Sequence, residues 1–169
     1  GPLRARGRGA AGAPGEGSWR AARRLPEWLL PEAGGKPTSN EDTAAYRAAW
    51  RQCLTQLPTT SASLLLRDYH KDNLLWLPER SGVKACGLLD FQDAQQGHPS
   101  YDLVSLIEDA RRDVPPAVHK ACLVRYIGAT GLDDKDFRIG MALMAAQRHA
   151  RIIGLWIRLL RRDGKPEYL

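Results

Sequence analysis

The chain has 169 residues, 43% apolar and 26% charged, with a formal net charge of +6. That length is enough for one domain with a real core, and no apolar run approaches the roughly 18 residues of a membrane span. Cys53, Cys86 and Cys122 are odd in number and far apart, which argues against a disulfide framework or a zinc knuckle and predicts a reducing, cytoplasmic setting without membrane association.

Residues 1–24 hold six Arg against one Glu, whereas the rest of the chain holds 19 basic and 18 acidic residues. The charge is thus confined to a Gly/Ala/Arg-rich stretch with no apolar signal-peptide core. It reads as a tail without packed structure, solvated or added for expression, and nucleic acid is not the expected partner. Residues 25–169 are expected to form the folded unit. Leu25 to Pro37 reads as a short helix or turn ending in the Gly34-Gly35-Lys36-Pro37 loop. Ser39 with Asp42 resembles a capping box, and Tyr46, Trp50, Cys53, Leu54 and Leu57 recur at helical spacing, so a helix is predicted over 40–57. Pro58 to Ser61 ends it.

Three short apolar runs follow, at 63–67, 73–77 and 83–89, with a hairpin turn predicted at 78–82. Further helices are predicted over 101–112, from Pro115-Pro116 to about Ala129 with Gly131 past its end, and from about Asp133 to Asp163. Gly164 and Pro166 stop the last of these. Its stripe of Phe137, Met141, Met144, Ile152, Leu155, Trp156 and Leu159 reads as core packing. The expected fold class is α+β, mostly helical, with a small hairpin carrying the chemistry.

The informative segments are Leu66-Arg67-Asp68-Tyr69-His70-Lys71-Asp72-Asn73 and Leu88-Leu89-Asp90-Phe91-Gln92-Asp93. In-line attack on a nucleotide γ-phosphate needs the acceptor hydroxyl aimed and its proton received, and Asp68 suits both tasks. Asn73 offers a neutral amide oxygen and Asp90 an anionic one, a pair suited to Mg2+ beside ATP phosphates. Any one of these residues alone reads as a turn residue; the joint spacing is more specific. Asp68, His70 and Asp72 also share one face of an extended segment, which suits a metallohydrolase with Asp90 as a further ligand, although such a centre gains nothing from Asn73. A loop histidine bonded to nearby backbone is the plainer reading of His70. Asp93 suits a second magnesium, a substrate hydroxyl or a loop cap. Asp102, at a helix start, either favours that helix's N-terminus or reaches back to brace the loop. His98, His119 and His149 have no evident partners.

These segments, with Gly97-His98-Pro99-Ser100-Tyr101-Asp102-Leu103, resemble the aminoglycoside phosphotransferase and choline kinase-like superfamily, small-molecule relatives of protein kinases. Within it they look closest to bacterial kinases of the anomeric hydroxyl of N-acetylmuramate and N-acetylglucosamine. The resemblance covers about residues 25–169. It implies Asp68 as base, Asn73 and Asp90 as Mg2+ ligands, Asp102 as a brace, ATP as donor and a small-molecule acceptor: an amino sugar or an aminoglycoside. Leu66 departs from the family pattern, which has His there. No β-rich lobe, Gly-rich phosphate loop or Ala-x-Lys strand is seen before residue 25. The chain therefore reads as a kinase-like C-terminal lobe whose N-terminal, nucleotide-clamping lobe is missing and which is inactive alone. The alternative is a non-catalytic, pseudokinase-like binding fragment.

Overall fold

The computed structural model describes residues 22–166. Most of the basic stretch lies outside them, but its last residues are packed: Ala22 is fully buried against Trp50 and Ala150. A π-helical turn, Leu25–Leu29, runs into α1 (Leu30–Gly34), which closes at Gly35 with φ 64°. Ser39 caps α2 (Asn40–Leu54): its Oγ accepts the Asp42 N–H at 3.0 Å and its hydroxyl donates to the Asp42 carboxylate at 2.7 Å. α2 ends before the predicted residue 57 because Gln56 and Leu57 donate to carbonyls three residues back and the Thr55 hydroxyl takes the Gln52 carbonyl, tightening the chain into turns.

Four strands of three residues follow, in two antiparallel pairs. β1 (Ser63–Leu65) pairs with β4 (Gln95–Gly97), Leu65 opposite Gln95. β2 (Leu74–Trp76) pairs with β3 (Cys86–Leu88), Leu74 opposite Leu88. The predicted strand over 83–89 is shorter than expected, since Gly82–Ala85 forms a 3-10 turn instead. β4 was not foreseen: Gln-Gln-Gly has little strand propensity and is held by its pairing with β1.

Three helices complete the unit: α3 (Ser100–Ile107), α4 (Pro116–Thr130) and α5 (Asp134–Asp163). α3 stops well short of the predicted residue 112. Asp109 Oδ1 accepts the Arg111 N–H at 3.2 Å, a side-chain bond that competes with the helical ladder. α5 is capped by Asp133, whose side chain accepts the Asp136 N–H, and is ended by Gly164 at φ 64°. At 30 residues it is about 45 Å long, and β1, α2, α3 and α4 share core clusters with it.

The main core joins three helices: Leu103, Val104 and Ile107 of α3, Leu123 of α4, and Phe137 and Met141 of α5. Tyr126 stacks on Phe137 at 5.2 Å, and its hydroxyl donates to the Pro99 carbonyl at 3.0 Å, pinning the entry to α3. Leu65, Tyr101 and Met144 form a further cluster that sets β1 on α3 and α5.

Two glycines of α5 permit close approaches. A Cβ at Gly140 would overlap the His98 ring, and one at Gly154 would overlap the Arg24 backbone. Gly154→Ala is therefore expected to cost about 1–3 kcal/mol in denaturant unfolding. Hydrogen exchange should show the loss of protection concentrated in residues 22–29, with the centre of α5 unaffected.

Candidate active site

The loop from 66 to 73 leaves β1 through a γ-turn. The Asp68 N–H donates to the Leu66 carbonyl at 2.9 Å around Arg67, whose φ is 69°. A non-glycine residue in that region is strained by about 1 kcal/mol or more. Asp102, from the first turn of α3, holds the turn: Oδ2 accepts the Leu66 N–H at 2.6 Å and Oδ1 the Arg67 N–H at 3.0 Å. Position 66 therefore enters this contact through its backbone, which a leucine supplies as well as a histidine would. Burial pushes the Asp102 carboxyl up, while the two amides and the charge of Arg148 pull it down; the net direction is upward.

His70 is buried at the centre of the loop. Its Nε2 lies 3.1 Å from Arg111 Nη1, 3.2 Å from Asn73 Nδ2 and 3.4 Å from Asp68 Oδ1. On the other side the Asp72 N–H donates to Nδ1 at 3.3 Å. Asn73 Nδ2 donates to the Asp68 carbonyl at 2.9 Å, and the Asn73 carbonyl accepts the Leu89 N–H at 2.9 Å, tying the loop to the end of β3. Asp90 follows at φ 53°, again in the left-handed region, and its Oδ1 accepts from the Gln92 amide.

A cavity of about 330 Å³ opens beside the loop, and Asp68, Asp90 and Asp93 line it together. His70, Asn73 and Asp102 do not line it; they lie behind the loop as its internal bonds. α5 lines it as well, with Arg148, Arg151, Ile152, Leu155, Trp156 and Leu159. The last four were expected in the core, but the stripe divides. Its N-terminal half (Phe137, Met141, Met144) is buried, and its C-terminal half faces the cavity. Among the described residues no group of three or more His, Cys, Asp and Glu is arranged to hold a metal, which leaves the Asp68–His70–Asp72 metallohydrolase reading without support.

Sequence reasoning missed the arginines. Arg112 Nη2 bonds both Asp72 carboxylate oxygens at 3.0 and 2.9 Å. Arg111 and Arg112 both pair with Asp109, at 2.9 and 3.3 Å. On α5, Arg148 is buried; its Nε donates to Ser105 Oγ at 2.8 Å, and its Nη1 has no hydrogen-bond partner. Arg151 Nη1 donates to the Tyr101 hydroxyl at 3.0 Å. The available signal was the spacing of Arg148 and Arg151 by three, which puts both on one helix face beside Ile152 and Leu155. The histidines without evident partners have them: His98 Nδ1 lies 2.8 Å from Ser100 Oγ, and His119 and His149 flank Glu108 at 3.8 and 3.6 Å.

Residues 5–138 match the family described as Phosphotransferase enzyme family, a match that starts inside the basic stretch and runs through both acidic loops. The chain belongs to that family. It is 44% identical over 126 residues to the N-acetylmuramate/N-acetylglucosamine kinase of Caulobacter vibrioides, covering 74% of this chain and 35% of that protein. The kinases of the same name from Pseudomonas putida and Neisseria meningitidis serogroup B are 34% and 35% identical over 157 and 156 residues. Those matches cover 86% and 85% of this chain, and 43% and 44% of those proteins. The chain thus spans less than half the length of the curated relatives it matches, and they are the amino-sugar kinases that its motifs resemble.

Burial opposes ionisation of Asp109, but the two Arg111 hydrogen bonds and the charges of Arg111 and Arg112 outweigh it and hold the carboxyl below its usual range. A carboxyl lowered on folding takes up a proton more readily in the unfolded chain. Its stabilisation is therefore complete above the unfolded value and is lost as pH falls through the folded one. Asp109→Asn is expected to lower stability at neutral pH and to flatten its decline below about pH 4, measured by chemical denaturation across that range.

Proposed function

We propose that this chain is the acceptor-binding, C-terminal lobe of an ATP-dependent kinase that phosphorylates a hydroxyl of an amino sugar. The observation that carries the reading is the meeting of Asp68, Asp90 and Asp93, from two loops far apart in sequence, on one wall of a sugar-sized cavity. Asp68 is the base: its carboxylate is exposed, next to a loop fixed from behind by His70 and Asn73, and it aims the acceptor hydroxyl and receives its proton.

Asn73 and Asp90 are the Mg2+ ligands in this reading. Their donor types suit Mg2+, although Asn73 stands outside the cavity lining that includes Asp90: the Asn73 NH2 group is committed to the Asp68 carbonyl, which leaves its amide oxygen, and Asp90 adds a carboxylate, both hard oxygen donors. Mg2+ with ATP supplies the phosphoryl group and the neutralising charge. The Leu89–Asn73 backbone bond keeps the two ligands on adjoining segments. Ile152, Leu155 and Trp156 offer an apolar wall for the face of a sugar ring.

The family and the relatives support this reading over a non-catalytic fragment, and the retained Asp68, Asn73 and Asp90 point the same way. Among the described residues there is no glycine-rich phosphate loop to clamp the nucleotide, so the chain by itself is expected to show negligible turnover. The test is a phosphate-transfer screen over amino sugars, aminoglycosides and amines with the chain joined to the rest of its parent protein. Activity should fall on an amino sugar, and Asp68→Asn should lower kcat by about a hundredfold or more with KM little changed. An Asp68→Asn protein with undiminished kcat would remove Asp68 from the chemistry. Rapid ATP-dependent transfer by the 169-residue chain alone would overturn the lobe reading.

A further inference from the structure

The arginines on the α5 wall are not explained by phosphoryl transfer, which uses the carboxylates opposite. Arg148 is 5% exposed. Ser105 takes only its Nε, and Nη1 is buried with no hydrogen bond, an arrangement that is costly for a cationic donor. Arg151, one helical turn on, is held by the neutral hydroxyl of Tyr101. Neither has a carboxylate within ion-pair distance among the described residues, and the nearby Asp109 is already shared by Arg111 and Arg112. The wall therefore carries two positive charges, positioned by Ser105 and Tyr101 of α3, in a cavity whose remaining charged lining is Asp68, Asp90, Asp93 and Asp109 with Arg67 and Arg111.

We infer that Arg148 and Arg151 form a carboxylate-binding subsite, so that the cavity selects an amino sugar bearing its own carboxylate over a neutral one. The inference rests on the acceptor-pocket reading above. N-acetylmuramate and N-acetylglucosamine differ by one lactyl ether that ends in a carboxylate, the group a pair of guanidinium forks recognises through charge-assisted hydrogen bonds. Ile152 and Leu155, on the same face of α5, pack against the ring between that carboxylate and the hydroxyl at Asp68.

The test is calorimetric titration of the 169-residue chain with N-acetylmuramate, its primary amide and N-acetylglucosamine. The acid should bind about tenfold or more tighter than either neutral ligand. Arg151→Gln and Arg148→Lys should each reduce the ratio of acid to amide affinity toward one. A purely structural role for either residue would weaken both ligands together and leave the ratio intact. The comparison of acid with amide uses the unaltered chain, so it stands even if the Arg148 variant fails to fold. Equal binding of acid and amide by the unaltered chain would overturn the subsite and leave the acceptor pocket standing. Binding of none of the three would overturn the acceptor pocket itself, and the subsite with it.

Discussion

The whole site depends on one carboxylate receiving two consecutive amides. Asp102 sits in the first turn of α3, and its two oxygens take the N–H groups of Leu66 and Arg67. Without them the γ-turn at Arg67 would be a strained conformation with two unpaired half-buried donors. Burial disfavours the charged form of Asp102, yet a protonated carboxyl would give up one of its strong acceptors. The amides and the Arg148 charge oppose that burial but do not outweigh it. Placing Asp68 is thus a matter of tertiary structure: its loop is shaped from a helix 34 positions on.

That grip transmits the rigidity of the core. α3 presents Leu103, Val104 and Ile107 to α4 and α5 on one side and Asp102 to the loop on the other. Its entry is held twice, by Tyr126 on the Pro99 carbonyl and by His98 seated against Gly140. A second set of ties runs from its exit: Asp109 holds Arg111 and Arg112, which reach His70 and Asp72. The loop is therefore fixed at its start by α3's first turn and at its end by the residues after α3's last. The exposed Arg112–Asp72 contact contributes little by itself, about 0–1 kcal/mol for surface pairs, so the buried Asp109 is the anchor of this set.

Much of the helical framework was legible because capping and periodicity are local. Ser39, Asp133, Gly131 and Gly164 mark real helix ends. What was not legible depended on contacts distant in sequence. β4 exists because β1 lies beside it, and α3 ends early because Asp109 bonds the backbone of Arg111. The acidic loops stood out because carboxylate and amide spacing carries meaning by itself, and Asp68, Asp90 and Asp93 do line one cavity. The basic wall was not, because Arg148 and Arg151 look like ordinary helix-surface charges until Ser105 and Tyr101 come into contact with them. The division of the α5 stripe into core and cavity was likewise invisible, as an apolar face has the same pattern whether it meets a core or a ligand.

The charge arrangement of the cavity follows from what each wall is made of. Carboxylates at 68, 90 and 93 stand on loops, with backbone at positive φ at Arg67, just before Asp68, and at Asp90; the arginines stand on the long helix α5. An acidic wall alone would repel both a phosphorylated donor and an anionic acceptor. Magnesium held there, as proposed, would reverse the sign locally, but its field would be strongest beside its ligands and do little across the cavity. An acceptor carrying its own carboxylate would therefore be repelled by Asp68 and Asp93 unless a fixed cation stood elsewhere in the lining; Arg67 and Arg111 line the cavity too, but Arg111 is committed to Asp109. The buried, incompletely bonded Arg148 is such a cation, and in a half-desolvated cavity its attraction is screened far less than at the surface. In the proposed subsite the same opposition would orient the ligand: the anionic end would be drawn to α5, and a hydroxyl at the other end of the ring presented to Asp68.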